Sequence, residues 1–128
     1  MPVIHAAETV IHDMHGSRFT SYAAPARGST ELCAWRLDVP AGSEGTTHSV
    51  SREEILFVLG GTLLVTLGDG PDAADVACRA GDAIVVPPGS SVRVANPGDD
   101  AASAWVTTSG GLEAVLPDGS RLSPPWVR

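Results

Sequence analysis

Short apolar runs rich in Val, Ile, Leu and Thr alternate along the chain with clusters of Gly, Pro, Asn and Asp. The runs at 18–23, 31–39, 55–59, 62–67, 76–79, 83–86, 91–96 and 102–109 read as β-strands. Turn formers separate them, among them Pro40-Ala41-Gly42, Gly60-Gly61, Gly81-Asp82, Pro87-Pro88-Gly89 and Asn96-Pro97-Gly98. Strands spaced so regularly predict an all-β sandwich or barrel. Only the stretch 6–15 suggests a short helix.

Alternation assigns faces, because successive strand residues point to opposite sides. In 31–39, Cys33, Trp35 and Leu37 share one face, and Ala34, Arg36 and Asp38 the other. In 91–96, Val92, Val94 and Asn96 fall together, with Arg93 opposite. Apolar residues on both faces of several strands fit a closed or two-layered sheet.

Composition narrows the chemistry. The chain has 128 residues, 43% of them hydrophobic, enough for one core without disulfides. A formal charge of −7 argues against nucleic acid or an anionic membrane as partner. No apolar run approaches the ~20 residues of a membrane span, and 1–10 lacks the basic start and apolar run of a secretion signal. A soluble, cytoplasmic protein is expected. All eight cationic residues are Arg, so no lysine Schiff base or lysine general base is available. Cys33 and Cys78 lie far apart without CxxC spacing and read as small buried hydrophobes.

Two segments carry a family resemblance. Gly42, His48, Glu54 and Gly61 stand at the offsets of the first cupin motif, in which His-x-His precedes the Glu; the second His is replaced by Val50. Gly81, Pro87, Gly89 and Asn96 match the second motif, whose His position holds Val92. The chain therefore resembles a small single-domain cupin with a degraded metal-ligand set. The resemblance implies a double-stranded antiparallel β-barrel (a jelly roll) over 1–128. Residues 1–24 are then an N-terminal arm that packs on or across the barrel or a partner subunit. It also implies a homodimer with a small-molecule ligand.

The two valines change the expected chemistry. In the family pattern a His-x-His pair, the Glu and a distant His hold a divalent transition metal. Here only His48 and Glu54 remain, and two protein ligands rarely hold a catalytic metal. No cofactor is expected. The other histidines, His5, His12 and His15, all lie near the N-terminus, where a folded-over arm would be needed to supply a ligand.

Three readings of His48 and Glu54 stay open. They are relics in a barrel that binds a ligand or nothing, or weak ligands of an unusual metal site. In the third reading they are an acid–base pair in an apolar pocket, suited to isomerisation, cyclisation or elimination on an enolisable substrate. Val50, Val92, Val94 and Trp35 are the candidate pocket-lining residues. Arg36 and Arg93 are expected in surface salt bridges, Glu53 in solvent or beside Arg52, and Asn96 at a turn. Tyr22, Trp35 and Trp105 read as core or interface residues. Pro124-Pro125-Trp126 reads as an extended segment docked on the barrel or a partner.

Overall fold

The computed structural model describes residues 2–128; Met1, at the start of the expected arm, lies outside them. Its strands are β1 (Val10–Met14), β2 (Ser17–Ala23), β3 (Leu32–Val39), β4 (His48–Val50), β5 (Glu54–Gly60) and β6 (Thr62–Leu67), followed by β7 (Ala74–Arg79), β8 (Ala83–Val86), β9 (Ser91–Ala95), β10 (Ala102–Ser109), β11 (Ala114–Val115) and β12 (Arg121–Leu122). They form two six-stranded antiparallel sheets, ordered β1-β2-β3-β10-β5-β8 and β12-β11-β4-β9-β6-β7. The two sheets face each other as a jelly-roll β-barrel. The only helical segments among the described residues are four short 3₁₀ turns, and none is long and apolar enough to cross a membrane.

Alternation decides what lies inside. β3 buries Cys33, Trp35, Leu37 and Val39, while Leu32 and Arg36 are exposed. Across β3, β10 and β5 these residues form registered rows. Trp35 stands opposite Val106, which stands opposite Leu56; Cys33 stands opposite Thr108, which stands opposite Glu54. From the other sheet, Val50, Leu63, Val65 and Val92 complete the core. Burying each such side chain contributes roughly 1.5–3 kcal/mol.

The stretch 6–15 is not a helix. A 3₁₀ turn covers Ala6–Glu8, and β1 then runs to Met14. Its β-branched Val10 and Ile11 suit a strand, and His15-Gly16 forms a two-residue turn with both φ angles positive, 53° and 79°. That geometry matches the twist of a hairpin, so β1 pairs back on β2 with Met14 opposite Ser17. β2 in turn pairs with β3, so the described part of the arm extends the first sheet within its own chain.

Asn96 closes a corner. Its buried amide nitrogen donates to the carbonyls of Val39 (3.1 Å) and Asp100 (2.8 Å), and its side-chain oxygen accepts from the Gly98 amide at 3.2 Å. Gly45 marks a close backbone crossing. It has φ +71°, and a Cβ there would lie 2.2 Å from the Val94 carbonyl oxygen. No other residue fits at that point.

Candidate functional site

The barrel holds a partly open cavity of about 130 Å³. Its floor is the row Trp35, Val106 and Leu56 of the first sheet, and Val50, Val92 and Val94 of the second sheet lie across from it. Phe19 and Trp126 build an aromatic wall, their rings stacked with centroids 3.7 Å apart and planes 9° apart. His48 and Glu54 also line the cavity.

Trp126 reaches that wall because the chain end docks on the barrel. The Trp126 carbonyl accepts from the Ser21 hydroxyl at 2.9 Å, and the Val127 carbonyl from the Cys33 thiol at 3.6 Å. Pro124, Trp126 and Val127 are buried. Ser21 also receives a hydrogen bond from the Arg27 guanidinium, which ties the chain end to the loop after β2.

Glu54 opens β5 and points inward; its residue is only 8% exposed. Burial pushes its carboxyl up from the ordinary 4.5 to about 7. No protein donor offsets that cost, for no hydrogen bond or ion pair reaches the carboxylate among the described residues. In particular His48 and Glu54 are not bonded to each other. Desolvation alone acts on Glu54.

His48 sits on β4 opposite Val92 of β9. Its Nδ1 lies 2.9 Å from the Thr46 carbonyl. A carbonyl only accepts, so Nδ1 carries a proton, and in the neutral ring Nε2 is the nitrogen with the free lone pair. One bond thus fixes both the tautomer and the ring.

The donor set does not fit a catalytic divalent metal. Val50 and Val92 place isopropyl groups where the motifs carry imidazoles, and no three His, Cys, Asp or Glu side chains converge as a metal cluster among the described residues. Of the N-terminal histidines, His15 reaches the cavity from the hairpin turn. His12 lies against Trp126, ring centroids 6.3 Å apart, and His5 is exposed.

A comparison with family models matches residues 35–108 to the cupin domain, more than half of the chain. The chain belongs to the cupin family. Solved structures resemble this cupin in fold. An RmlC-like cupin from Shewanella frigidimarina is 23% identical with a TM-score of 0.68, over 82% of this chain and 86% of that one. A polyketide cyclase from Streptomyces resistomycificus is 15% identical with a TM-score of 0.74, over 85% and 79%. The Cnp3 cupin domain of Schizosaccharomyces pombe is 19% identical with a TM-score of 0.65, over 78% and 67%. A comparison with curated proteins gives no significant match.

The structure brings His48, Glu54, Val50, Val92, Val94 and Trp35 to one cavity. The remaining candidates lie elsewhere. Arg36 pairs with Asp38 at 3.2 Å on the surface, and Arg93 donates to the Glu44 carbonyl at 2.8 Å. Glu53 is exposed and makes no ion pair with Arg52. Tyr22 and Trp105 pack with their rings tilted at 59° and centroids 5.1 Å apart, half-buried and outside the cavity.

Sequence reasoning missed Phe19, Trp126, Leu112 and Met14 as lining residues. Alternation in β2 does put Phe19 on the face of Ser17 and Ser21. Nothing local puts Trp126 beside it.

Proposed function

We propose that this cupin binds a small, largely apolar molecule in its barrel and moves protons on it without a metal. Glu54 and His48 Nε2 serve as the acid–base groups. The observation that carries the reading is the buried Glu54 carboxyl, which faces an apolar cavity with no protein partner. A carboxyl titrating near 7 is divided between acid and base at neutral pH, where general catalysis works best.

The chemistry follows from the two groups. His48 Nε2 takes a proton from a carbon next to a carbonyl, while the protonated carboxyl of Glu54 gives one to the carbonyl oxygen. The product is an enol, and the reverse transfers return a ketone protonated at the same or another carbon. Isomerisation, cyclisation and elimination all use this step. The likeness to a polyketide cyclase is compatible with it, but supports the fold alone.

Proton exchange tests the reading without knowledge of the natural substrate. In D₂O, the methyl protons of acetophenone exchange through its enol, and NMR follows their loss. The wild-type protein accelerates this exchange, and Glu54→Gln loses about a hundredfold of the acceleration. Undiminished exchange in Glu54→Gln, or near-stoichiometric transition metal that is lost on His48→Ala, overturns the proposal.

A further inference from the structure

An antiparallel sheet with water on one side alternates apolar residues inward and polar residues outward. β5 and β8 break that rule. Their inward residues Leu56, Val58, Ile84 and Val86 are buried. Their outward residues are Ile55, Phe57 and Leu59, each 43% exposed, and Val85, 53% exposed. Nine large apolar residues are exposed among the described residues, and these four stand together on two neighbouring strands. Strands apolar on both sides belong to a sheet that is covered on both sides.

The patch continues across the sheet in registered rows. Ala83 stands opposite Phe57, which stands opposite Trp105; Val85 stands opposite Ile55, which stands opposite Thr107. The Trp105 ring then meets Tyr22 of β2. The exposure of β5 and β8 shows that no described segment of the chain lies over them. The arm does not reach across, because β1 and β2 pair edge-on within the same sheet.

Charge sets this face apart. The chain carries a net −7, but the outward positions of β2, β3, β10, β5 and β8 hold only Arg18, Arg36 and Asp38 as charged residues. None of the eight Arg residues lines the cavity, and two of them stand here instead. Arg36 pairs with Asp38 at 3.2 Å, and Arg18 with Asp13 of β1 at 3.0 Å. The two Arg and two Asp cancel, so two copies of an acidic chain repel each other least at this face. A rim that holds both signs also complements itself about a two-fold axis, where residue i meets j and j meets i.

Area gives the last constraint. Strands about 4.8 Å apart, rising about 3.4 Å per residue, give five of them a face on the order of 500 Å². Two such faces together remove on the order of 1,000 Å² from water, the size at which a contact becomes specific.

We propose that a second copy of this chain covers the outer face of the first sheet about a two-fold axis. Phe57 and Ile55 lie at the centre of the contact and the Arg36–Asp38 pairs at its rim. This dimer needs no exchange of the arm between subunits, and it does not depend on the proton chemistry of the barrel.

Sedimentation velocity on the full chain tests it. The wild-type protein sediments as a dimer at micromolar concentration, in dilute buffer and in molar salt alike, because the contact is apolar. Phe57→Lys buries a charge at the centre and weakens the dimer about a hundredfold or more. Val85→Lys acts the same way and decides the matter should Phe57→Lys fail to fold. Val76→Lys puts the same charge at a valine of similar exposure on β7 of the other sheet, and leaves the dimer intact. A monomeric wild type, whose face would then be left to an unlike protein, overturns the proposal. So does a dimer that survives in whichever of Phe57→Lys and Val85→Lys folds, one that Val76→Lys weakens equally, or assembly beyond two copies.

Discussion

Thr108 stands directly across from Glu54 in the β5–β10 ladder, yet its hydroxyl donates to the Glu53 carbonyl, 2.7 Å away, and not to the carboxyl. The nearest registered hydroxyl is thus committed to the backbone. Glu54 faces the cavity uncompensated, and its proton affinity rises with the cost of burial.

Stability should therefore fall as pH rises. The folded carboxyl titrates near 7 and the unfolded one near 4.5. Between these values the folded chain holds a proton that the unfolded chain has lost, so the slope of unfolding free energy with pH is negative. The full stability is present below about pH 4.5, and on the order of 3 kcal/mol of it is gone above pH 7. Urea midpoints measured from pH 5 to 8 check this. Glu54→Gln, neutral throughout, should flatten the curve and be the more stable protein at pH 8; an equally steep curve in that variant contradicts the burial argument.

Trp126 should be worth far more than its place near the chain end suggests. Trp126→Ala removes the ring stacked on Phe19 and opens the cavity wall. A loss of about 3–5 kcal/mol is expected, read as a lower thermal midpoint. A change within about 0.5 kcal/mol, typical of surface positions, would mean that the docked segment contributes nothing.

Two glycines should separate under substitution. Gly42 has φ +77° with open space around it, so Gly42→Ala costs only the left-handed conformation, about 1 kcal/mol. Gly45 adds a collision with the Val94 carbonyl, backbone against backbone. Gly45→Ala should cost at least twice as much in denaturant titrations. Equal costs would show that the crossing relaxes freely.

Restoring the two imidazoles should restore a metal site. Val92 faces His48 in register, and Val50 lies two residues along the same strand, on the same face. Val50→His combined with Val92→His then offers three imidazoles and a carboxylate to one ion. After dialysis against dilute zinc or iron(II), elemental analysis should find about one ion per chain in the double variant and far less in wild type. Equal loading of the two proteins would show that the valines do not govern metal binding.

What could be read in the sequence tracks the length of the signal. β3, β6 and β10 are long enough for alternation to set both the strand and its buried face, so Trp35 and Val106 could be placed inward from local pattern. β11 and β12 have two residues each and carry no periodicity; only their pairing to β4 and to each other makes them strands. β1 read as helical because His15-Gly16 is an unusual hairpin turn, and a turn with positive φ is invisible in an apolar pattern. In the site, motif spacing located His48, Glu54 and the two valines, because a fixed strand geometry links them. Phe19 and Trp126 meet across more than a hundred residues, and the committed hydroxyl of Thr108 depends on register. No local rule reaches either.

The absence of any guanidinium from the cavity lining also bears on kinetics. A protein of net charge −7 surrounds its mouth with a field that slows anions and leaves an uncharged molecule untouched. Capture of such a molecule is then unassisted diffusion, and its rate should stay flat from dilute buffer to molar salt.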